Sequence, residues 1–155
     1  MTAFVREARR EDLASIVGLL ADDALGQSRE RIGDELPPGY AAAFTAIARD
    51  PNNRLLVLEA DGRVVGCFQL TFIPGLSYAG ATRAQIESVR VAADCRNRGF
   101  GEIMMRWAMS EARRAGCRFM QLSTHASRKD AHRFYERLGF VASHVGMKLD
   151  LAAPH

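Results

Sequence analysis

An α/β fold on a mixed sheet is the class this sequence predicts, and three observations predict it. An Asp61-Gly62 pair separates two β-rich runs, a strand leads through a loop into a long helix between Arg83 and Ala115, and apolar residues recur at helical spacing before and after these. The 155 residues are 48% hydrophobic and 25% charged, which suits one globular domain over residues 1–155 and excludes both disorder and an apolar membrane protein. No apolar run approaches the ~20 residues of a membrane-spanning helix. Met1 to Arg10 shows no apolar block before a small-residue cleavage site, so a cytoplasmic protein is expected. Three cysteines without a CxxC pair and four histidines without ligand spacing argue against a disulfide scaffold and against a metal site. The net charge of +3 comes without a block of like charges, so neither nucleic acid nor a membrane is an expected partner; a small anionic ligand accounts for the local arginines.

Taken in order, Phe4–Ala8 reads as a short strand and Arg9–Ala21 as a helix with Leu13, Ile16, Val17 and Leu20 on its buried stripe. Leu25–Gly39 is polar and ends in Pro37-Pro38-Gly39, which predicts a loop or a poorly formed helix. A second helix spans Tyr40–Ala48 and is closed by Asp50-Pro51-Asn52-Asn53. Arg54–Glu59 and Val64–Phe72 form an antiparallel hairpin, followed after Pro74, Gly75 and Gly80 by a third strand, Arg83–Val91. The helix Gly101–Ala115 places Ile103, Met104, Trp107, Ala108, Ala112 and Ala115 on one face and is capped by Gly116. Phe119–Thr124 is a buried-looking strand, and Ser127 with Asp130 marks the start of a helix that buries Ala131, Phe134, Tyr135 and Leu138 and ends at Gly139. Phe140–Val145 and Met147–Leu151 are two closing strands.

The chemistry concentrates in Val89 to Gly101, where a strand runs through a basic, glycine-bearing loop straight into a helix. The first four N–H groups of a helix lack internal partners and sit at the positive end of its dipole, so such a start cradles a pyrophosphate. Gly99 and Gly101 let the main chain approach, and Arg96 and Arg98 add charge. A P-loop is excluded because no Gly-Lys pair exists, and a dinucleotide fingerprint because Met104 stands where its third glycine belongs. A tight turn before a helix is the bland alternative for the glycine pair.

Arg96-Asn97-Arg98-Gly99-Phe100-Gly101 matches R/Q-x-x-G-x-G/A, and Ala131-His132-Arg133-Phe134-Tyr135-Glu136-Arg137-Leu138-Gly139-Phe140 matches A-x-x-F-Y-E-x-L-G-F. On these two segments, in this order, the chain resembles the GNAT superfamily of N-acetyltransferases over about Phe4 to Leu151. The resemblance implies a mostly antiparallel central sheet flanked by helices on both faces, and direct transfer of an acetyl group from acetyl-CoA to a primary amine. It places the pyrophosphate on Arg96, Arg98, Gly99, Phe100, Gly101 and Glu102, and pairs the pantetheine arm with the main chain of Val89 and Val91. It also makes a homodimer an expectation.

Two side chains are candidates for moving protons. Glu87 alternates with Val89 and Val91, so it points to the face those valines share, where partial burial makes it a general base for an ammonium; the alternative is a solvated edge residue. The resemblance gives Tyr135 the role of protonating the departing thiolate; the alternative is a packed tyrosine on its helix's apolar stripe. Arg128 stands where many relatives carry asparagine, and it either reaches a CoA phosphate or is surface charge. Gly75-Leu76-Ser77-Tyr78-Ala79 lacks the last glycine of a nucleophile elbow, and Cys95 has no partnered base. The resemblance implies that Leu25–Ala48 and Phe72–Thr82 shape the acceptor pocket, whose chemistry their charges do not select; Tyr40, Phe44 and Tyr78 either line it or are ordinary packed or exposed aromatics. A non-catalytic CoA-binding regulatory module is the alternative function, and a nucleotide-binding regulator is the weaker one.

Overall fold

Asp61 and Gly62 take left-handed φ values of 51° and 76°, as a type I′ turn requires. They join β2 (Asn53–Ala60) to β3 (Arg63–Ile73) as an antiparallel hairpin. The computed structural model describes residues 2–154, and this hairpin forms the middle of a five-stranded sheet of order β1-β2-β3-β4-β5. β1 (Ala3–Glu7) pairs antiparallel with β2, β4 (Arg83–Val91) antiparallel with β3, and β5 (Phe119–Gln121) parallel with β4. The sheet is mixed and mostly antiparallel, as the sequence predicts.

Register assigns side chains to faces, since directly opposed residues point the same way. Leu56 opposes Phe68, Leu58 opposes Gly66, Gly66 opposes Val91, and Leu70 opposes Ile86. α5 (Phe100–Arg114) covers this face: Phe68 meets Trp107 edge to face at 6.0 Å, and Arg54 lies 5.0 Å from the Trp107 ring and 3.3 Å from Glu111. On the other face Val57 opposes Cys67, and Cys67 opposes Arg90. There Arg6, opposite Val57, binds Asp12 at 2.8 Å and Glu59 at 2.6 Å, just before α1 (Leu13–Ala21). Arg90 lies 3.9 Å from Asp23, which precedes α2 (Ala24–Arg29). Helices therefore flank both faces, and the uninterrupted burial of Leu56–Leu58 and Val65–Phe68 follows from that double cover. The hydrogen bond from Arg6 holds Asp12 below the usual carboxylate range, and burial pushes the Cys67 thiol up to about 12.

Several boundaries differ from expectation. The polar segment after Leu25 contains α2, because Asp23 accepts the Gly26 N–H at 2.5 Å and caps a helix that apolar spacing alone does not reveal. In α1, Leu19 is buried while Leu13 and Leu20 are half-buried. In α5, Met105 takes the core place expected for Ile103, which is 40% exposed, because the helix rests on the sheet along Phe100, Met104, Ala108 and Ala112. α3 (Pro38–Arg49) matches expectation but buries no residue. Between β3 and β4, Ser77–Gly80 forms a four-residue turn, α4, in which Tyr78 and Ala79 have left-handed φ. β5 is shorter than Phe119–Thr124 and not buried: Phe119, on the sheet's edge strand, is 39% exposed and meets the Tyr78 ring edge to face at 4.7 Å.

Residues from Leu122 form a second compact unit. It holds α6 (Lys129–Arg137), after which Gly139 takes φ 102° and the Tyr135 carbonyl accepts the N–H groups of Leu138 and Phe140. Arg128, not Ser127, stands at the N-cap; the Ser127 hydroxyl bonds His125 Nδ1 at 2.7 Å, so the expected Ser–Asp capping pair does not form. Neither Phe140–Val145 nor Met147–Leu151 is a strand. Alternation of Val145, Met147, Leu149 and Leu151 supplies an apolar face, but a strand also needs an edge to bond, and all four side chains are exposed. Among the described residues no helix is long and apolar enough to cross a membrane.

Candidate active site

β5 is three residues long, so it pairs with β4 only from Arg83 to Gln85. From Ile86 onward β4 stays bonded to β3 on one side and, among the described residues, carries no strand on the other. An extended ligand arm can add to such a flank as a further strand. The flank leads through the 3-10 turn Ala93–Cys95 to Gly99, the N-cap of α5, at φ 81°. An added Cβ at Gly99 meets nothing within 4 Å, so the position asks for glycine by conformation, worth ~1 kcal/mol against other residues. The first bond of α5 runs from Ile103 N–H to the Gly99 carbonyl at 3.1 Å. The N–H groups of Phe100, Gly101 and Glu102 therefore have no carbonyl behind them in the helix and point with its positive end, a geometry that receives a diphosphate.

The side chains around this start divide. Arg96 is half exposed; its Nε lies 3.4 Å from the Val91 carbonyl and its Nη2 lies 3.5 Å from the Asp22 carbonyl and 3.8 Å from the Asp22 carboxylate. Arg98 lies over the Phe100 ring at 5.4 Å. Phe100 itself is buried in the core, which leaves only its main chain for a ligand. Glu102 pairs with Arg106 at 2.7 Å on the helix surface. Behind the loop Arg63 grips Asp94 at 2.8 Å and holds its carboxyl down at about 2, and the buried Cys95 packs beside them as a structural residue.

Glu87 requires a correction. The β3–β4 register slips so that Cys67 opposes Arg90 while Gln69 opposes Glu87, two residues on β3 spanning three on β4. Ser88 takes φ 57° within this bulge, and the Val89 carbonyl accepts Arg90 Nη1 at 3.0 Å. The slip breaks simple alternation: Glu87 shares a face with Gln69 and Cys67, whereas Val91, opposite Gly66, lies on the α5 face. Glu87 is exposed, not part-buried, and its carboxylate meets no partner among the described residues.

Tyr135 and Arg128 belong to the second unit. The Tyr135 ring is half-buried, 5.2 Å from Phe134 and 5.8 Å from Phe140 in edge-to-face contacts. Arg128 precedes α6, its N–H bonded to the His125 carbonyl at 2.9 Å. Of the aromatic residues expected near the acceptor, Tyr40 donates its hydroxyl to Glu30 at 3.0 Å, Phe44 lies under Arg10 at 5.6 Å, and Tyr78 meets Phe119 edge to face.

Sequence reasoning missed two features. Asp22 meets Arg96 across 74 positions, with no local signal. Asn53, Gln69, Thr71 and Gln85 line the face that carries Glu87, and here a signal existed: polar residues alternate at 69 and 71 in β3 and at 85 and 87 in β4.

Comparison with known proteins fits this geometry. A model of the acetyltransferase (GNAT) family matches residues 15–140. An aminoalkylphosphonate N-acetyltransferase of Salmonella typhimurium is 33% identical over 141 residues, 90% of this chain and 86% of that protein. A crystal structure described as a transcriptional regulator from Bacillus halodurans superposes with a TM-score of 0.94 at 45% identity, covering 97% of this chain and all of that one. A Trypanosoma brucei acetyltransferase gives 0.77 at 26% identity over 97% of this chain and 100% of its own.

Proposed function

The chain belongs to the acetyltransferase (GNAT) family, and we propose that its acceptor is a small primary amine carrying a phosphonate. It is an acetyl-CoA-dependent N-acetyltransferase. The observation that carries the cosubstrate site is the unpaired flank of β4 running into the first turn of α5. The acceptor class rests on the Salmonella relative, similar over nearly the whole chain.

In the proposed transfer the pantetheine arm lies along Val89 and Val91 and the diphosphate meets the N–H groups from Gly99 to Glu102, with Arg96 and Arg98 beside it. Glu87 takes a proton from the ammonium by way of water, and the freed amine attacks the thioester carbonyl. The Val89 amide steadies the oxyanion, and the Tyr135 phenol protonates the departing thiolate. Acetyl passes to nitrogen and CoA leaves as the thiol. Arg128 is assigned either to a CoA phosphate or to the surface. Two copies of the chain assemble as a homodimer, which sedimentation tests.

Thiol release from acetyl-CoA, followed with 2-aminoethylphosphonate, propylamine and spermidine, tests this assignment. Turnover is expected with all three and fastest with the phosphonate; equal rates with propylamine would overturn the acceptor class. The relative described as a transcriptional regulator favours a second reading, a CoA-binding regulatory module, which predicts CoA binding without thiol release. Tyr135→Phe should lower kcat about tenfold with acetyl-CoA affinity retained; an unchanged kcat would remove the phenol from the chemistry.

A further inference from the structure

We propose that Gln69 Oε1 and the Glu87 carboxylate together form the seat for the acceptor's ammonium group, with Asp50 and Asn53 fixing the orientation of Gln69. This rests on the acetyltransferase reading above. It adds a recognition residue, Gln69, and the relay that orients it.

The relay begins at the turn before β2. Asp50 accepts the Asn53 side-chain N–H at 2.9 Å and the Asn52 main-chain N–H at 2.8 Å, contacts that hold its carboxyl below the usual range, with the Asn53 bond the larger cause. An ionised carboxylate only accepts, so the Asn53 amide nitrogen must face it and its oxygen must face away. That oxygen accepts Gln69 Nε2 at 3.0 Å and Thr71 Oγ1 at 2.7 Å. The Gln69 nitrogen is thereby committed, and its Oε1 is turned to the other side of the amide.

Glu87 stands directly opposite Gln69 on the same sheet face, where opposed side chains have Cβ atoms ~5 Å apart. Among the described residues neither Gln69 Oε1 nor the Glu87 carboxylate receives a donor. Two acceptors side by side, one of them charged, match a group with several N–H donors and a positive charge. A primary ammonium has three donors; a tertiary ammonium has one and cannot satisfy both. The next rung continues the polar surface, with Thr71 opposite Gln85, Gln85 opposite Gln121, and Gln121 Nε2 donating to Gln85 at 2.9 Å. Pairing is plain from Arg83 to Glu87, and the Ser88 bulge directly after it returns Val91 to the α5 face while Glu87 stays opposite Gln69.

Steady-state kinetics on the purified chain test the seat, using whichever amine of the panel (2-aminoethylphosphonate, propylamine, spermidine) the wild type turns over fastest. Gln69→Leu should raise KM for that amine at least tenfold while kcat and KM for acetyl-CoA stay within twofold. Gln69→Glu keeps an outward acceptor but loses the N–H that meets Asn53 Oδ1, and should raise the amine KM three- to fivefold, less than Gln69→Leu. Asn53→Leu releases the Gln69 amide to rotate and should raise the amine KM three- to fivefold. Melting curves identify any variant that fails to fold, in which case Gln69→Met replaces Gln69→Leu. An unchanged amine KM in the leucine or methionine variant, or equal losses in Gln69→Leu and Gln69→Glu, would overturn the seat and leave the acetyltransferase reading standing. No turnover of any amine by the wild type would overturn both.

Discussion

On the face of the sheet under α5, Leu56, Phe68, Leu70 and Ile86 are buried without interruption, whereas on the opposite face the same strands pass from Val57 and Cys67 to Gln69, Thr71, Gln85 and Glu87 within two rungs. The first face removes apolar area from water and spends its side chains on packing. The second keeps donors and acceptors half-exposed across three interior strands, where an alternation of apolar residues would have been the more stable choice. A sheet can thus divide its labour by face, stability on one side and recognition on the other.

The sharpest way to break this contrast is to truncate one residue on each face. Phe68→Ala should cost about 4 kcal/mol in denaturant unfolding because a fully buried ring leaves a cavity against Trp107. Thr71→Val, three positions on but on the other face, should cost about 1 kcal/mol, the worth of its hydrogen bond to Asn53. Equal losses would mean that the polar face also carries stability.

An intermediate effect is expected at Asp12, the ionic centre of the α1 side. Its carboxyl lies below the ordinary range in the fold, so the stability it contributes is fully present above the unfolded value of ~3.9 and is lost as pH falls through the folded one. Asp12→Asn should therefore cost about 2 kcal/mol at pH 7, and the gap to wild type should narrow as pH falls below the unfolded value; a gap as large in acid as at pH 7 would assign the loss to packing. The smallest effect on stability belongs to Glu87→Gln. The exposed side chain should leave the melting temperature in place while the acidic limb of the pH–rate curve flattens, and an unaltered profile would take Glu87 out of proton transfer.

Local pattern made much of the fold legible. Arg83–Val91 is a strand over its expected length, the Asp61-Gly62 hairpin forms, and the loop into α5 carries its glycine at the N-cap, because alternation, turn chemistry and helix starts are all written within a few residues. What was illegible depends on partners distant in sequence. The bulge at Ser88 exists only against β3, so alternation put Glu87 on the face of Val91 when register puts it on the other. Asp22 meets Arg96 through the tertiary fold, and the Asp50–Asn53–Gln69 relay needs a turn and two strands to be in place. The closing strands failed for the complementary reason: their alternation is clear, and nothing in a sequence says whether an edge awaits them.

The odd residue in β4 is extra to the ladder. Excising Ser88 would restore a plain two-residue rhythm from Arg83 to Val91 while leaving Ile86 across from Leu70, Glu87 across from Gln69, Arg90 across from Cys67 and Val91 across from Gly66. A single-codon deletion there would straighten β4 and keep each of these side chains on its face, so the pairing survives with or without the kink.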